Sequence, residues 1–536
     1  MSSEKSLLKN SFGVSLATLA SRILGLLRVK LEAMALGGGA TASIWFITLM
    51  IPNLLRRLLG EGALGMALTP VIAETERRSG IPQVRLVLAQ VLSVAGAVLA
   101  GCVVLISATA LFTGRYASLY GSGFWQSQRL LGVCQLLPLM MPYAFFICLT
   151  GIIGAVLNYA GMFVRPALTA LFFNICMIGG LSAGAIWELP SQTLLKFLAI
   201  LTPASGAVQL LLMLWMLRSC GRFPDFSRRA FRSFEITRKV IKLATPGIIG
   251  YGVLQLSFLI DRSMAVYLGD QAVPALTYVD RIVDLPIGLF AVSFGSVLMA
   301  SMTHAAADND WEAMQRELNF SIRHVWFIGA PMAAAVIFFH NEIIRVLCLG
   351  GKYTLADLEA AKYVAVFYGF GIPFFCSLKV ILPAFYSRKD MKRPFYVSLA
   401  AISVNLILNL LLMFPLQQGG LALATVIASV VNNSLLLMLL RKDGLTIQMR
   451  SVISAIRSVV IAAVSGAAVW CLLPVIRRYT VTGNQLISDT LVLGITGLLF
   501  GGFFLILAFA VHSPELRELL SIVSGKRKRH KQNYSA

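Results

Sequence analysis

Charge is scarce in this chain. Only 13% of its 536 residues are charged, while 57% are hydrophobic and the mean hydropathy is +0.79. A soluble domain carries about 25% charged residues, so a water-soluble globule is excluded. Acidic residues are the scarcer sign: 24 Asp and Glu stand against 46 Lys and Arg, for a net charge of +22. That balance does not point to nucleic acid, because no aromatic-rich basic RNA-binding motif accompanies it. In a membrane protein, basic residues gather in cytoplasmic loops. Cysteine is sparse too. The eight cysteines (Cys102, Cys134, Cys148, Cys176, Cys220, Cys348, Cys376 and Cys471) are scattered, mostly in apolar runs, with no CxxC. This pattern suits small buried hydrophobes, not a redox or zinc motif. The five histidines do not cluster, so neither a metal site nor a cofactor is expected. A cleavable leader is not expected either. Arg22 and Arg28 interrupt the first apolar run, and no clear cleavage site follows.

What the chain has is long apolar runs. A helical span needs about 20 apolar residues. Fourteen candidates run over 12–35, 41–59, 86–112, 131–157, 165–187, 194–217, 240–268, 274–303, 324–348, 361–386, 395–414, 419–440, 452–474 and 487–511. They are too long and too uniformly apolar for barrel strands, and backbone groups in lipid must be satisfied internally. The fold class is an all-α polytopic membrane protein. With the N-terminus in the cytoplasm, 32 of the 46 Lys and Arg fall on cytoplasmic segments and 8 on external ones. The other six, Arg22, Arg28, Lys30, Arg262, Arg281 and Lys379, lie inside spans, basic residues at the span ends being counted with the adjoining segments. This bias predicts both termini inside. The loop from Arg218 to Lys242 carries eight basic residues, and the tail KRKRHK (Lys526–Lys531) reads as a solvated topology anchor on the anionic inner leaflet.

The chain also resembles itself. Leu36-Gly37 and a run through Pro52 parallel Leu268-Gly269 and a run through Pro286. Pro142 parallels Pro373, and Arg165-Pro166 parallels Arg393-Pro394. Six spans per half preserve orientation, which predicts a parallel repeat about an axis along the membrane normal. The expected division is a six-helix lobe over 1–220, a second over 235–440, two further spans over 450–515 and a basic tail over 516–536. Transporters place substrate between such halves.

The stretch from Ser21 to Glu74 organises the rest. Two apolar runs flank a break at Gly37–Gly39, with Arg22 and Arg28 in the first and Arg56, Arg57 and Glu61 closing the second. An arginine at the bilayer centre costs roughly 2.5–3.5 kcal/mol even on the lenient scale, so arginines in such runs point to a water-filled cationic cavity. Snorkelling to an interface is the alternative, more natural for Arg28 and Lys30 than for Arg22. Arg57 and Glu61 are four apart, so an intrahelical salt bridge competes with a substrate role. Gly60 to Gly65 spells GxGxxG, but no strand precedes it and the dinucleotide reading fails. Arg281 and Asp284 share a helix face beside Asp280, either as a local ion pair or as part of a site. Lys379 has no carboxylate near it in sequence. Asn405 and Asn409 share a face, with Thr425 in the next span and Asp261 in the seventh. Such oxygens suit a hard cation such as Na⁺, and equally suit interhelical hydrogen bonds.

The strings SRILGLLR, PNLLRRLLGEGALGMALTPVIAE, YVDRIVDLPIGL and FYSRKDMKRP together resemble the MurJ family of lipid II flippases, in the MOP exporter superfamily. The resemblance covers nearly the whole chain, including the two C-terminal spans. It implies a bacterial cytoplasmic-membrane transporter, not an enzyme, acting as a monomer on lipid II, an undecaprenyl diphosphate carrying a disaccharide-pentapeptide. It implies two six-helix bundles around a central cavity and a lipid-tail groove beside the last two spans. By the same resemblance Arg22, Arg28 and Arg281 match the essential cavity arginines, Arg56 and Glu61 further cavity positions, and Lys379 a basic position of the second half. Asp261, Asn405, Asn409 and Thr425, with the Leu421 carbonyl, resemble a sodium site. Three positions depart from the pattern: Val29, Ser43 and Asn409 stand where members can carry Asp. Two alternatives remain: an exporter of another polyprenyl glycan or of a cationic drug, and a glycosyltransferase using a lipid diphosphate. The basic cavity disfavours the drug cation, and the short, acid-poor external loops disfavour the transferase.

Overall fold

The computed structural model of the chain describes residues 2–60, 63–120, 127–231 and 234–523. Among these residues every named element is helical and there is no β-strand. Among the described residues ten helices are long and apolar enough to cross a membrane. Glu61 and the tail Lys526–Lys531 lie outside the described residues. The chain divides into two compact units, one holding the residues up to Tyr278 together with Leu347–Ala360, the other Val279–Val346 and the chain from Ala361 onward.

The first unit contains α1 (Ser2–Leu36), α2 (Ala40–Leu55), α3 (Ala63–Tyr120), α4 (Gln128–Met140), α5 (Pro142–Tyr159), α6 (Val164–Ile186), α7 (Ser191–Ser219) and α8 (Glu235–Tyr267). α1 packs along α6, and α3 packs on α4, α5 and α8. Leu68, Ile72, Leu88, Ile152, Leu157 and Leu217 belong to one buried apolar cluster of this unit. In lipid the association of helices rests on close packing and polar contacts, since the tails are as apolar as leucine. Gly151 is an example. A Cβ there would meet the Gly60 carbonyl oxygen at 2.3 Å, so only glycine lets α5 approach the turn after α2. That turn, Arg56–Gly60, is a π-helical segment four residues past Pro52, where proline has already broken the regular ladder.

The break after α1 is tied down. Gly37 has φ +75°, and a Cβ on it would meet the Lys352 carbonyl oxygen at 2.7 Å. Its own carbonyl accepts a hydrogen bond from Tyr278 Oη at 3.0 Å, and the Met34 carbonyl accepts one from Lys352 N at 2.8 Å. Asp357 anchors the 347–360 segment: its carboxylate accepts from Gln271 Nε2 (3.0 Å), Thr354 N (2.9 Å) and Thr354 Oγ1 (3.0 Å). Burial, helped by the nearby Cys348 and Asp357, pushes the Tyr353 phenol well above its ordinary value, so it stays a neutral donor to the Asp357 carbonyl.

The second unit contains most of α9 (Ala272–Pro286), then α10 (Val292–Ala307), α11 (Trp311–Leu347), most of α12 (Leu355–Tyr386), α13 (Lys392–Lys442), α14 (Met449–Tyr479), α15 (Gln485–Ala510) and α16 (Pro514–Val523). A second π-helical segment, Ile287–Ala291, follows Pro286. α13 is a hairpin. Gln417 has φ 50° and ψ −135°, and Asn405 Nδ2 lies 3.3 Å from Thr425 Oγ1. On a straight helix those residues would be about 30 Å apart. A Cβ on Gly420 would meet the Leu412 carbonyl oxygen at 2.1 Å, so glycine is required where the arms cross.

α14 is held to α11 at both ends. Near one end the Glu515 carboxylate, fully buried, accepts from Ser454 Oγ (2.6 Å), Ser513 Oγ (2.8 Å) and Arg457 Nη2 (2.7 Å), with Arg323 Nη1 at 3.5 Å. Near the other, Arg477 donates to the buried Glu342. The two nodes are 19 residues apart on α11 and 20 on α14. At 1.5 Å per residue that is about 30 Å, the thickness of a bilayer's hydrocarbon core. Between them Phe327, Phe339, Phe500 and Phe504 pack with Ala330, Ala462 and Ala508.

Candidate functional site: arginines inside the first unit

α1 carries its charge inward. Arg28 is 6% exposed, so it lies inside the bundle and does not snorkel. Its guanidinium carbon stands 5.0 Å from the centroid of the Phe173 ring of α6, a cation–π distance. Its Nε lies 3.6 Å from the carboxylate of Glu32, one turn along the helix and 1% exposed. Val29, one of the three positions that depart from the resemblance, is buried. The carboxylate nearest Arg28 in sequence is therefore four residues on, not one. Lys30 donates to the Leu349 carbonyl at 2.6 Å. Arg22 is half-buried two turns before Arg28, and the adjacent Ser21 carbonyl accepts a hydrogen bond from Asn174 Nδ2 of α6 at 3.2 Å. Successive α6 residues, Phe173 and Asn174, thus face the arginine stretch of α1.

A second group lies where α2 ends. Arg56 is half-buried and Arg57 exposed on the π-helical turn. Arg57 Nη1 donates to Gln255 Oε1 of α8 at 3.2 Å, and its guanidinium lies 5.5 Å from the Phe258 ring. Arg262, 4% exposed, stands 5.0 Å from the same ring. Gln255, Phe258 and Arg262 follow each other at helical spacing on one face of α8. One aromatic ring thus serves two arginines. The Arg57–Glu61 pairing concerns a residue outside the described ones.

In the second unit Arg281 is half-buried and Asp284 exposed on α9, and Lys379 is exposed on α12. A Cβ on Gly295 would meet the Lys379 carbonyl oxygen at 2.5 Å, so α10 and α12 touch at that residue. The α13 hairpin brings four of the five expected ion ligands together. Asn409 Nδ2 donates to Asn405 Oδ1 (3.1 Å), Asn405 Nδ2 to Thr425 Oγ1 (3.3 Å), and Thr425 Oγ1 to the Leu421 carbonyl (3.0 Å). Asn405, Asn409 and Leu421 are buried. The fifth, Asp261, belongs to α8 of the first unit and is half-buried. Among the described residues no group of three or more His, Cys, Asp or Glu could hold a metal ion.

Sequence reasoning missed Glu32, Phe173, Phe258 and Gln255. Glu32 had a signal: it stands four residues from Arg28, the spacing that singled out Arg57 and Glu61. The two rings and the glutamine had none, because their roles arise from helices about 145 and 200 residues away in sequence.

Comparison with known proteins agrees with this architecture. A model of the lipid II flippase MurJ family matches residues 33–488. A chain named probable lipid II flippase MurJ from Vibrio cholerae is 31% identical over 477 residues, covering 87% of this chain and 89% of the relative. One of the same name from Rhizobium tropici is 29% identical over 529 residues, covering 97% of both. Among solved structures, a lipid II flippase MurJ in an inward closed conformation superposes with TM-score 0.70 at 24% identity, over 93% of this chain and 99% of that one. A multidrug resistance MATE family transporter of the MOP superfamily superposes with TM-score 0.63 at 14% identity, over 80% of this chain and 98% of that one.

Proposed function

The chain belongs to the lipid II flippase MurJ family, and we propose that it carries lipid II from the inner to the outer leaflet of a bacterial cytoplasmic membrane by alternating access. The observation that carries this reading is the buried arginine stretch of α1. Arg28, enclosed at 6% exposure between the Phe173 ring and the Glu32 carboxylate, is a buried guanidinium, the group suited to grip an anionic ligand. The diphosphate of lipid II is such an anion, and a guanidinium grips phosphate oxygens bidentately. In this reading Arg22, Arg28, Arg56 and Glu61 of the first unit, and Arg281 and Lys379 of the second, serve the headgroup over the transport cycle. The polyprenyl tail stays in the lipid, in a groove beside α14 and α15. No covalent bond breaks. An inside-negative potential favours outward movement of an anion by about 2.3 kcal/mol per charge per 100 mV.

The proposed architecture is fourteen spans: two six-helix repeats, a two-helix C-terminal unit and both termini in the cytoplasm. Supporting the repeat, the two π-helical turns begin at Arg56 and Ile287, 231 residues apart, each shortly after a proline of the paired sequence motifs. The hairpin in α13 adds a pass beyond the ten long helices. Na⁺ is proposed as the coupling ion through Asp261, Asn405, Asn409, Leu421 and Thr425, with the chain acting as a monomer. Depletion of the protein in its native host tests the function. Lipid II should accumulate on the inner face, and accumulation of a different polyprenyl-linked glycan would overturn the substrate assignment.

A further inference from the structure

We infer that Glu32 is the internal counter-ion of Arg28 and speeds release of the headgroup, by competing with the bound diphosphate for the same guanidinium. The inference rests on the reading that the ligand is a lipid diphosphate. Its basis is an incompletely satisfied carboxylate. Glu32 is 1% exposed, its ionic contact is Arg28 Nε at 3.6 Å, and neither carboxylate oxygen has a hydrogen-bond partner among the described residues. A buried carboxylate is costly unless it is hydrogen-bonded. Two other anchoring carboxylates show the contrast: Glu515 accepts from two serines and an arginine, and Asp357 from three donors. Packing alone would favour an apolar residue at position 32, as at the neighbouring buried Val29, Ala33 and Leu36.

The contact also has a direction. Glu32 approaches the guanidinium at Nε, one of the five N–H donors for which a phosphate would compete. A diphosphate held by Arg28 then lies several ångströms from a second negative charge. At the effective dielectric of such sites, that repulsion amounts to about a hundredfold change in affinity. A carrier needs this balance, since a site must bind well enough to load and weakly enough to empty. Glu32 is a positioning residue in this scheme. It acts on the substrate through Arg28 and touches no reacting bond.

The test uses the full-length protein, purified and reconstituted. Binding of undecaprenyl diphosphate and flipping of lipid II are measured for the wild type, E32Q, E32D and R28A. E32Q keeps the shape and removes the charge. It should bind undecaprenyl diphosphate about a hundredfold tighter and flip lipid II more slowly at saturation. E32D, which keeps the charge, should return both values toward wild type. A residue that merely filled space would not tighten binding when neutralised. If E32Q does not assemble, E32L carries the same expectation, because the surroundings are apolar. Binding unchanged or weakened in E32Q and E32L, with R28A still defective, overturns the counter-ion and leaves the substrate reading standing. Equal binding by wild type and R28A overturns both, because no anion then meets Arg28.

Discussion

Two arginine–glutamate pairs in this protein do different work. In the second unit Arg457 and Glu515 meet at 2.7 Å, and two serine hydroxyls complete the carboxylate's shell. In the first unit Arg28 and Glu32 stand 3.6 Å apart on one helix, beside a phenylalanine ring. Both glutamates are buried to about the same degree. Burial therefore does not separate them; saturation of the carboxylate does. A saturated carboxylate fastens α14 and α16 to α11, since breaking a buried pair leaves an uncompensated charge. An unsaturated one can yield its arginine to a ligand. Charge inside a membrane protein is best read by counting the partners of each carboxylate.

The largest effect should come from the unsaturated side. Arg28→Ala should lower lipid II flipping by about a hundredfold or more, since charge-assisted contacts to a phosphate are the strong ones. Arg22→Ala and Arg281→Ala should follow, with each protein still inserting; Arg28→Ala also strands the buried Glu32 and should melt earlier than wild type. Lysine should rescue only in part, because it lacks the bidentate fork. Complementation of a depleted strain is the measurement, and normal growth of all three alanine variants would break the comparison.

On the saturated side, Glu515→Ala should lower stability by about 3 kcal/mol, because it strands buried donors and the Arg457 charge. Unfolding in detergent reads this directly. Undecaprenyl diphosphate binding to the folded fraction should be unaltered.

Acid should act on the same node. Burial pushes the Glu515 carboxyl up, but hydrogen bonds from Ser454 and Ser513 and the Arg457 charge outweigh it and hold the group below the ordinary carboxylate range. Asp443 is alike: burial pushes it up, and Arg393 and Arg388 bring it below that range. A folded value below the unfolded one means the stability is fully present above the ordinary range. It is lost as pH falls through that range toward the lowered value. Melting temperature against pH should therefore drop on the acid side, and E515Q should flatten that drop.

The smallest and most specific effect concerns the cation. Asp261 is the only formal charge among the five proposed ligands, so Asp261→Asn should weaken any Na⁺ dependence of transport and leave lipid II binding intact. Transport indifferent both to a Na⁺ gradient and to this substitution would leave the Asn405–Asn409–Thr425 chain as an interhelical clasp.

Much of this was legible in the sequence, for identifiable reasons. Apolar runs separated by turn residues locate the helices, because a helix in lipid must satisfy its own backbone. The break between spans at 414 and 419 appears as the Gln417 reversal inside α13. Asn405, Asn409 and Thr425 could be grouped because they lie on the two arms of that hairpin. Arg22 and Arg28 stood out because arginine is foreign to lipid. What sequence could not reveal came from long-range packing. Phe258 accepts Arg57 from a helix about 200 residues away, and no local pattern encodes that pairing. The same holds for the ion nodes on α11 and α14, whose matching separations are visible only once the helices are side by side.

The most direct test compares the two pairs in one assay. Arg28→Ala and Glu515→Gln proteins are reconstituted into proteoliposomes, and lipid II flipping is measured per folded protein. Arg28→Ala should abolish flipping per folded protein, beyond any stability it loses by leaving the buried Glu32 without its counter-ion, whereas Glu515→Gln should lose stability and flip at the wild-type rate while folded. Wild-type flipping by Arg28→Ala, or its loss in folded Glu515→Gln, would contradict the division of labour between the two pairs.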